Sequence, residues 1–384
     1  MRKLKISNIT VYKVKPRWIF IKISTDEGID GWGEMISGTK TETVVSGAYE
    51  VGNRFLGRNP FEIERLFQEM HRSFFRGGPI NGTIVSGIEM ALWDIKGKAL
   101  GVPVYELLGG AARDRIKVYS WIGGDRPSDV ADQAQDRYNR GFTAVKMNAT
   151  AEIHYIDTYE KVEEVVERVA SIKERMGNAM SVGIDFHGRV HKPMAKVLAK
   201  ALEPYNPMFL EEVVLPENEE YFREVANAVA VPLATGERLY TRWQFKHIFQ
   251  QGVIDILQPD VALCGGILET RKIAAMAEAY DMAVAPHAPY GPVALAATLQ
   301  VDSCTPNVFI QEQSLGIHYN KGFDLLDFVK NKEIFQYKDG YVDIPDKPGL
   351  GIEMDEDKIK EISQEGLIWM NPSWKNDDGT IAEW

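Results

Sequence analysis

Cysteine is scarce in this 384-residue chain: Cys264 and Cys304 are the only two, and they form no CxxC pair. That excludes a disulfide framework and argues against a structural zinc site. Long apolar runs are missing as well. No stretch approaches the roughly 18 uninterrupted apolar residues that a membrane helix needs. The N-terminus alternates polar and apolar residues like a strand and lacks the apolar core of a signal peptide. The expectation is therefore a cytoplasmic protein with no membrane partner. Basic charge is short too, with 44 Lys and Arg against 55 Asp and Glu and a net charge of −11. This argues against nucleic acid as the main partner, because phosphate binding needs a basic surface. A small anionic substrate stays admissible, since a local metal and a few arginines outweigh a distant surface charge. Neither GxGxxG nor GxxxxGK[ST] occurs, so the usual phosphate loops of an open doubly wound sheet are absent.

What is present is ordinary globular material, 45% apolar and 26% charged. Strand-like alternation over 6–14 and 19–24 is followed by a turn at Asp26-Glu27-Gly28. Helix-like stretches then cover 42–55, 60–75 and 82–100. Strands followed by helices suggest an α+β unit. From about Lys117 the pattern changes. Short apolar runs at 118–121, 144–147, 181–186, 208–210, 232–234, 254–257, 283–285 and 308–311 alternate with amphipathic segments. About eight such repeats imply a parallel barrel rather than an open sheet. Near Gly316 the alternation stops. The remaining tail carries Trp369, Trp374 and Trp384 and should wrap back onto the first unit. The expected divisions are 1–115, 116–316 and 317–384.

Reactive groups of such barrels sit at the C-terminal ends of strands. The third, fourth and fifth runs end in Asp185, in Glu211 and at Glu237, each 26 residues from the next. Three carboxylates would project toward one point, and oxygen-only ligation suits Mg²⁺, with Mn²⁺ as runner-up. His187 follows Asp185 by two residues, on the same side of a strand. His287 ends the seventh run, and Asp260, 27 residues earlier, follows the sixth. A carboxylate beside an imidazole fixes its tautomer and raises its basicity. The eighth run ends at Glu312, a further acid, which burial would keep protonated so that it donates to a substrate carboxylate. The five other histidines read as surface or capping residues. A proton beside a carboxylate is very weakly acidic, and a divalent cation stabilises the charge that its loss creates. A neutral histidine as base and a second one opposite, protonating a leaving hydroxyl, would give a 2-keto-3-deoxy acid.

Several stretches make the chain resemble one family. They include ProArgTrp at 16–18, ThrAspGluGly at 25–28, ArgGlyGlyProIle at 76–80 and AlaLeuTrpAspIleLysGlyLys at 91–98. Others are TyrSerTrpIleGlyGlyAspArgPro at 119–127, AspPheHisGlyArg at 185–189, ProHisAlaProTyrGlyPro at 286–292 and GlnGluGlnSerLeuGlyIleHisTyrAsnLysGly at 311–322. Nearly end to end, the chain is similar to the mandelate racemase branch of the enolase superfamily. The resemblance implies an α/β fold, a modified (β/α)₇β TIM-type barrel with an N-terminal α+β capping domain completed by the C-terminal tail. It implies Mg²⁺ on Asp185, Glu211 and Glu237, and His287 backed by Asp260 as the base at C2. His187 would be the acid that expels the C3 hydroxyl, with Glu312 helping to stabilise an enediolate. Substrate contacts would come from Lys146 and Asn148 and from cap loops carrying Trp18 and Arg76. A homo-oligomer acting on a small sugar acid is also implied. Two departures stand out. Val213 replaces the usual proline of Glu-Glu-Pro, which should loosen that loop mildly. Lys146-Met147-Asn148 replaces the racemases' Lys-x-Lys, so the second lysine base is missing and dehydration is favoured over racemisation. Dehydration of another acid, epimerisation, and a metal-binding homologue without turnover remain as alternatives.

Overall fold

The computed structural model describes residues 4–36, 38–72, 76, 78–363 and 369–384. Residues 73–75 of the helix expected over 60–75, Gly77 of the 76–80 motif and residues 1–3 of the N-terminal alternation lie outside the described residues.

The chain opens with an antiparallel meander, β1 (Ile6–Val14), β2 (Trp18–Thr25) and β3 (Asp30–Ile36). The sequence pattern does not announce the third strand: Gly-rich Asp30–Ile36 shows little alternation, and residues 31–35 are all buried. Against this sheet lie α1 (Thr41–Gly52), α2 (Ile63–His71) and α3 (Gly78–Leu100), with α4 (Val104–Leu107) leading out. The middle of the long α3, residues 83–95, is buried on all sides, its polar Ser86, Glu89 and Asp94 included.

The barrel follows as β4 (Arg115–Ile122), α5 (Val130–Asn139), β5 (Ala144–Asn148), α6 (Tyr159–Met176), β6 (Ser181–Asp185) and α7 (Lys192–Leu202). It continues with β7 (Phe209–Glu211), α8 (Phe222–Ala226), β8 (Leu233–Thr235), α9 (Arg242–Gln251), β9 (Ile256–Leu257) and α10 (Ile267–Ala279). It ends with β10 (Ala283–Val284), α11 (Pro292–Ser303) and β11 (Gln311–Gln313). All eight strands pair in parallel, in sequence order from β4 to β10, and β11 pairs with β4. The Val284–Val308 bridge closes the ring, with Phe309 N donating to Val284 O at 2.8 Å. A helix follows each strand except the last, which is the (β/α)₇β pattern. Tyr119, Phe209, Ile256 and Ile310, set among the small Ala144, Ala234 and Ala285, fill the interior. The barrel therefore has a solid floor, and chemistry is confined to its rim.

Two buried glutamates fix the first unit on the barrel. Glu34 of β3 accepts from Gly291 N at 2.6 Å and Ala294 N at 2.9 Å, capping α11. Glu89 of α3 accepts from Ile267 N and Leu268 N, capping α10. Each supplies an acceptor to helix N–H groups that otherwise have none.

The segment from 317 onward does more than pack back on the first unit. Phe328 meets Trp18 and Phe20 there, and α12 (Glu356–Ser363), reached after β12 (Tyr341–Asp343), lies along β1. By contrast, β12 pairs antiparallel with β4 of the barrel, and residues 369–384 reach the rim. Glu356 accepts from Lys22 at 2.8 Å and Tyr12 at 2.9 Å and pairs with Lys360 at 2.9 Å. Burial alone would raise its carboxyl, but these partners outweigh burial and hold it at about 2, below its ordinary 4.5. A depressed folded value means stability that is present above pH 4.5 and lost as pH falls toward 2. Glu356→Gln should therefore lower the melting temperature at pH 7, and the difference from wild type should vanish near pH 2. A pH-independent difference would assign the effect to packing instead. Among the described residues no helix is long and apolar enough to cross a membrane.

Candidate active site

Asp185 and Glu211 are the last residues of β6 and β7 and sit side by side in the register. Glu237 lies two residues beyond β8. It reaches the same point because Gly236 turns the chain at φ +140°, where a side chain would strike the Phe245 ring at 2.9 Å and Gln258 N at 3.0 Å. One oxygen from each of Asp185, Glu211 and Glu237 falls within 4.8 Å of the others. Burial first, and neighbouring acids after it, push Asp185 and Glu211 up to about 7. Asp185 Oδ2 is buried without a hydrogen-bond partner among the described residues. Three carboxylates converging in a buried place, with Asp185 Oδ2 facing the Lys146 ammonium at 3.4 Å but accepting no hydrogen bond from the described residues, fit a hard divalent cation. The triad suits a metal site.

Lys146 is the charge already present. From β5 its ammonium reaches Glu211 at 2.7 Å, Glu312 at 3.1 Å and Asp185 at 3.4 Å, and it is fully buried. Gln258 Nε2 donates to the other Glu211 oxygen at 2.6 Å. Glu312, in β11, also accepts from Ala288 N at 2.9 Å. Here the sequence expectation needs correction. Burial raises the Glu312 carboxyl, but Lys146 and His287 outweigh burial and hold it below its ordinary value. Glu312 is an ionised partner of Lys146 rather than a protonated donor.

The two histidines stand opposite each other, since they follow the third and seventh of eight strands. His287 gives its Nδ1 to Asp260 Oδ2 at 2.7 Å, and Asp260 is itself oriented by Ala262 N at 2.7 Å. Its Nε2 faces Glu237 at 3.4 Å and Glu312 at 3.9 Å. Burial would lower its pKa, but Glu237, Glu312 and Asp260 push it up to about 10. Any cation that neutralises Glu237 removes a share of that rise and returns the ring toward the range of a working base.

His187 is placed by a turn and not by strand alternation. It follows the end of β6 with φ +58°, and its N–H donates to Asp185 Oδ1 at 2.6 Å. Arg189 Nη2 lies 3.0 Å from His187 Nδ1. A guanidinium has only donors, so Nδ1 accepts and the neutral ring carries its proton on Nε2. Burial first, then Arg189 and Arg238, hold His187 well below its ordinary value. Arg238 in turn binds Glu212 at 2.9 Å and the His187 carbonyl at 3.0 Å. These bonds, with a fully buried Val213, hold the loop after β7 where the sequence suggested loosening.

A cavity of about 140 Å³ is lined by Lys146, Asp185, His187, Glu237, His287 and Glu312 on the barrel side. Three residues expected at the substrate do not line it. Trp18 is 1% exposed and packs on Phe20 and Phe328 in the core of the first unit. Its neighbour Arg17 faces the cavity instead, stacked on Tyr319 at 4.7 Å and Tyr290 at 5.4 Å. Asn148 is buried and donates to Asp125 O at 3.4 Å. Arg76 is exposed with φ +59° and lines a separate cavity of about 660 Å³ with His71 and Trp243, which holds none of the acids or catalytic-type histidines above. Arg17, Arg189, Arg238 and Gln258 escaped the sequence reading. Arg17 and Arg189 lie inside quoted motifs, which was the available signal. Gln258 lies two residues before Asp260, at the end of a run.

Asp260→Asn keeps the shape beside His287 but loses the negative acceptor. It should lower turnover by roughly 10²–10⁴-fold with little change in KM, by analogy with carboxylate–imidazole pairs elsewhere. Unchanged turnover would show that Asp260 does not orient the ring.

Two family descriptions match the chain: "Mandelate racemase / muconate lactonizing enzyme, N-terminal domain" over residues 2–109, and "Enolase C-terminal domain-like" over residues 129–358. Several solved structures are similar throughout. An enolase from Agrobacterium radiobacter, provisionally assigned as a galactarate dehydratase and bound to Na and L-malate, is 32% identical, with 98% of this chain and 99% of that one covered and a TM-score of 0.89. A provisionally assigned dehydratase from Mesorhizobium loti is 32% identical over 95% of this chain and 99% of that one, TM-score 0.86. A provisionally assigned mandelate racemase/muconate lactonizing enzyme from Burkholderia SAR-1 is 34% identical over 96% and 98%, TM-score 0.86.

Proposed function

The chain belongs to the enolase superfamily, in its mandelate racemase branch, and from that membership we propose that it removes water from a sugar acid with Mg²⁺ held by Asp185, Glu211 and Glu237. The conversion put first, on overall likeness of sequence, is D-galactonate to 2-dehydro-3-deoxy-D-galactonate. The observation that carries the reading is the pair of opposed histidines across the acid triad, one backed by a carboxylate and the other by an arginine. The names of the Agrobacterium and Mesorhizobium relatives support dehydration as the reaction type. The proposal also takes the protein to be a cytoplasmic homo-oligomer whose partner is the substrate rather than a membrane or nucleic acid.

A divalent cation at the triad would stabilise the negative charge that develops on the substrate carboxylate. The rest falls to the protein. His287 Nε2 takes the proton from C2, and Asp260 holds the resulting imidazolium. Lys146 donates toward the carboxylate end and, paired with Glu312, keeps that end fixed. From the other side His187 takes up a proton once the substrate's negative charge offsets Arg189 and Arg238, and the imidazolium passes a proton from Nε2 to the C3 hydroxyl as the C3–O bond breaks, returning to the neutral ring. Water leaves, and the enol becomes the 2-keto-3-deoxy acid. Asn148 cannot serve as a second base beside Lys146, which disfavours two-base racemisation.

Purified protein with Mg²⁺ should be screened against aldonates and aldarates, including galactarate, by assay of 2-keto-3-deoxy product. Turnover of galactonate alone supports the full reading. Turnover of a different acid keeps the chemistry and replaces the substrate. No product from any acid overturns the dehydratase assignment.

A further inference from the structure

Residues 369–384 carry no helix or strand periodicity, yet they return to the rim of the barrel by a traceable route. Asn376 N donates to Thr380 O at 2.9 Å, and Gly379 N donates to Asn376 O at 2.9 Å, with Gly379 in the left-handed region at φ +86°. This tight turn folds 375 against 381 as an antiparallel bridge, and Ala382 N donates to Trp374 O at 3.1 Å. The small hairpin is pinned by Arg126 over the Trp374 ring at 4.0 Å. Arg126 belongs to the loop after β4 and is itself held by Glu152 of the loop after β5. Two residues past the hairpin, Trp384 lies edge-on to His187 with ring centroids 5.2 Å apart. At the other end of the segment Trp369 meets Tyr319 edge-on at 6.1 Å and lies 6.0 Å from the Arg17 guanidinium.

Trp369, Asn371 and Trp384 thus line the same cavity as the acids and histidines, from the opposite side. Trp121 joins them from the end of β4. Three polar atoms in this wall are buried without a hydrogen-bond partner among the described residues: Trp121 Nε1, Trp384 Nε1 and Asn371 Oδ1. Orphaned buried polar atoms cost stability and are rare unless something satisfies them. Two indole donors and one amide acceptor, beside flat aromatic faces, match the alternating hydroxyls and C–H faces of a polyol chain.

We propose that residues 369–384 form the specificity wall of the substrate site, in which Trp384 Nε1 and Asn371 Oδ1, together with Trp121 Nε1, hydrogen-bond the hydroxyls of the sugar acid beyond C3. This rests on the dehydratase reading, because the acid triad at the floor fixes the carboxylate end of the substrate there. The distal carbons are then left to the wall. A site built to pair with hydroxyls rejects analogues that lack them far more strongly than an apolar pocket does.

The test uses the full chain with Mg²⁺ and compares a hexonate with an acid of the same head group truncated after C4. Trp384→Phe keeps the ring and removes the donor, and Asn371→Ala removes the acceptor. Each should lower kcat/KM for the hexonate about 10-fold, as expected for one lost hydrogen bond to a buried group. Each should leave the truncated acid nearly unchanged, so that the selectivity ratio shrinks by the same factor. An unchanged ratio in both variants overturns the proposal and leaves ordered water as the partner of these atoms. If wild type turns over no acid, the dehydratase reading fails separately, and calorimetric titration of the same two acids decides the wall. Hexonate binding about 10-fold weaker in the variants supports it; equal affinities, or no hexonate binding by wild type, overturn it.

Discussion

His287→Asn is expected to abolish exchange of the C2 hydrogen with deuterated water and to lower turnover on the order of 10⁴-fold, the upper end of what a positioned base contributes. Asparagine keeps a polar group of similar reach beside Asp260, so the packing around this buried position survives. It offers no nitrogen lone pair of useful basicity where Nε2 stood, between Glu237 and Glu312. The measurement is proton NMR of substrate incubated in deuterated buffer with Mg²⁺. Wild-type rates of exchange in the variant would remove His287 from the role of base. The same experiment on His187→Asn separates the two rings: C2 exchange should continue there while loss of water stops, because that ring acts on C3.

The second large effect is on the metal. Glu211 is fully buried and has both oxygens engaged, one by Lys146 at 2.7 Å and one by Gln258 at 2.6 Å. Glu211→Gln removes one of three converging negative charges and leaves the Lys146 ammonium less compensated. Mg²⁺ affinity by calorimetry should fall by more than the roughly 10–100-fold typical of changes outside the ligand shell, and product formation should fall with it. Unchanged affinity would falsify the metal assignment. Near-wild-type thermal melting in the absence of metal checks that the variant is folded.

The sequence announced the floor of this site well and its walls poorly, for physical reasons. Asp185, Glu211 and His287 end apolar runs, and in a parallel barrel the end of a run is the rim, so position along the chain converts directly into position in space. Glu237 was legible by the same rule although it sits two residues past its strand, because a glycine bends it back. The barrel itself was legible because strand and helix periods alternate through eight units. Trp18, the first residue of β2, packs into the core on Phe20 and Phe328, whereas Arg17, in the turn before the strand, reaches the cavity, and a turn has no period from which to infer direction. Arg76 failed because a loop has no period from which to infer its direction. Glu312 was placed correctly but charged wrongly, since Lys146, 166 residues earlier in the chain, decides its ionisation and the sequence does not measure that distance. The tail was the least legible part. Its tryptophans stand out in composition, but only the turn at Asn376–Gly379 shows where they go.

The pairing of β4 with strands far downstream has a consequence during synthesis. Its parallel neighbour β11 begins 189 residues after β4 ends, and its antiparallel neighbour β12 comes later still. At typical elongation rates of about 5–20 residues per second, β4 waits roughly 10–40 s on the ribosome with an edge of its backbone open. Its buried side chains, including Val118 and Tyr119 on opposite faces, wait with it. The nascent chain is therefore most vulnerable to edge-to-edge association between the emergence of residue 122 and that of residue 343. Overexpression at low temperature or with added holdase chaperones should raise the soluble yield for that reason, before any change to the sequence is considered.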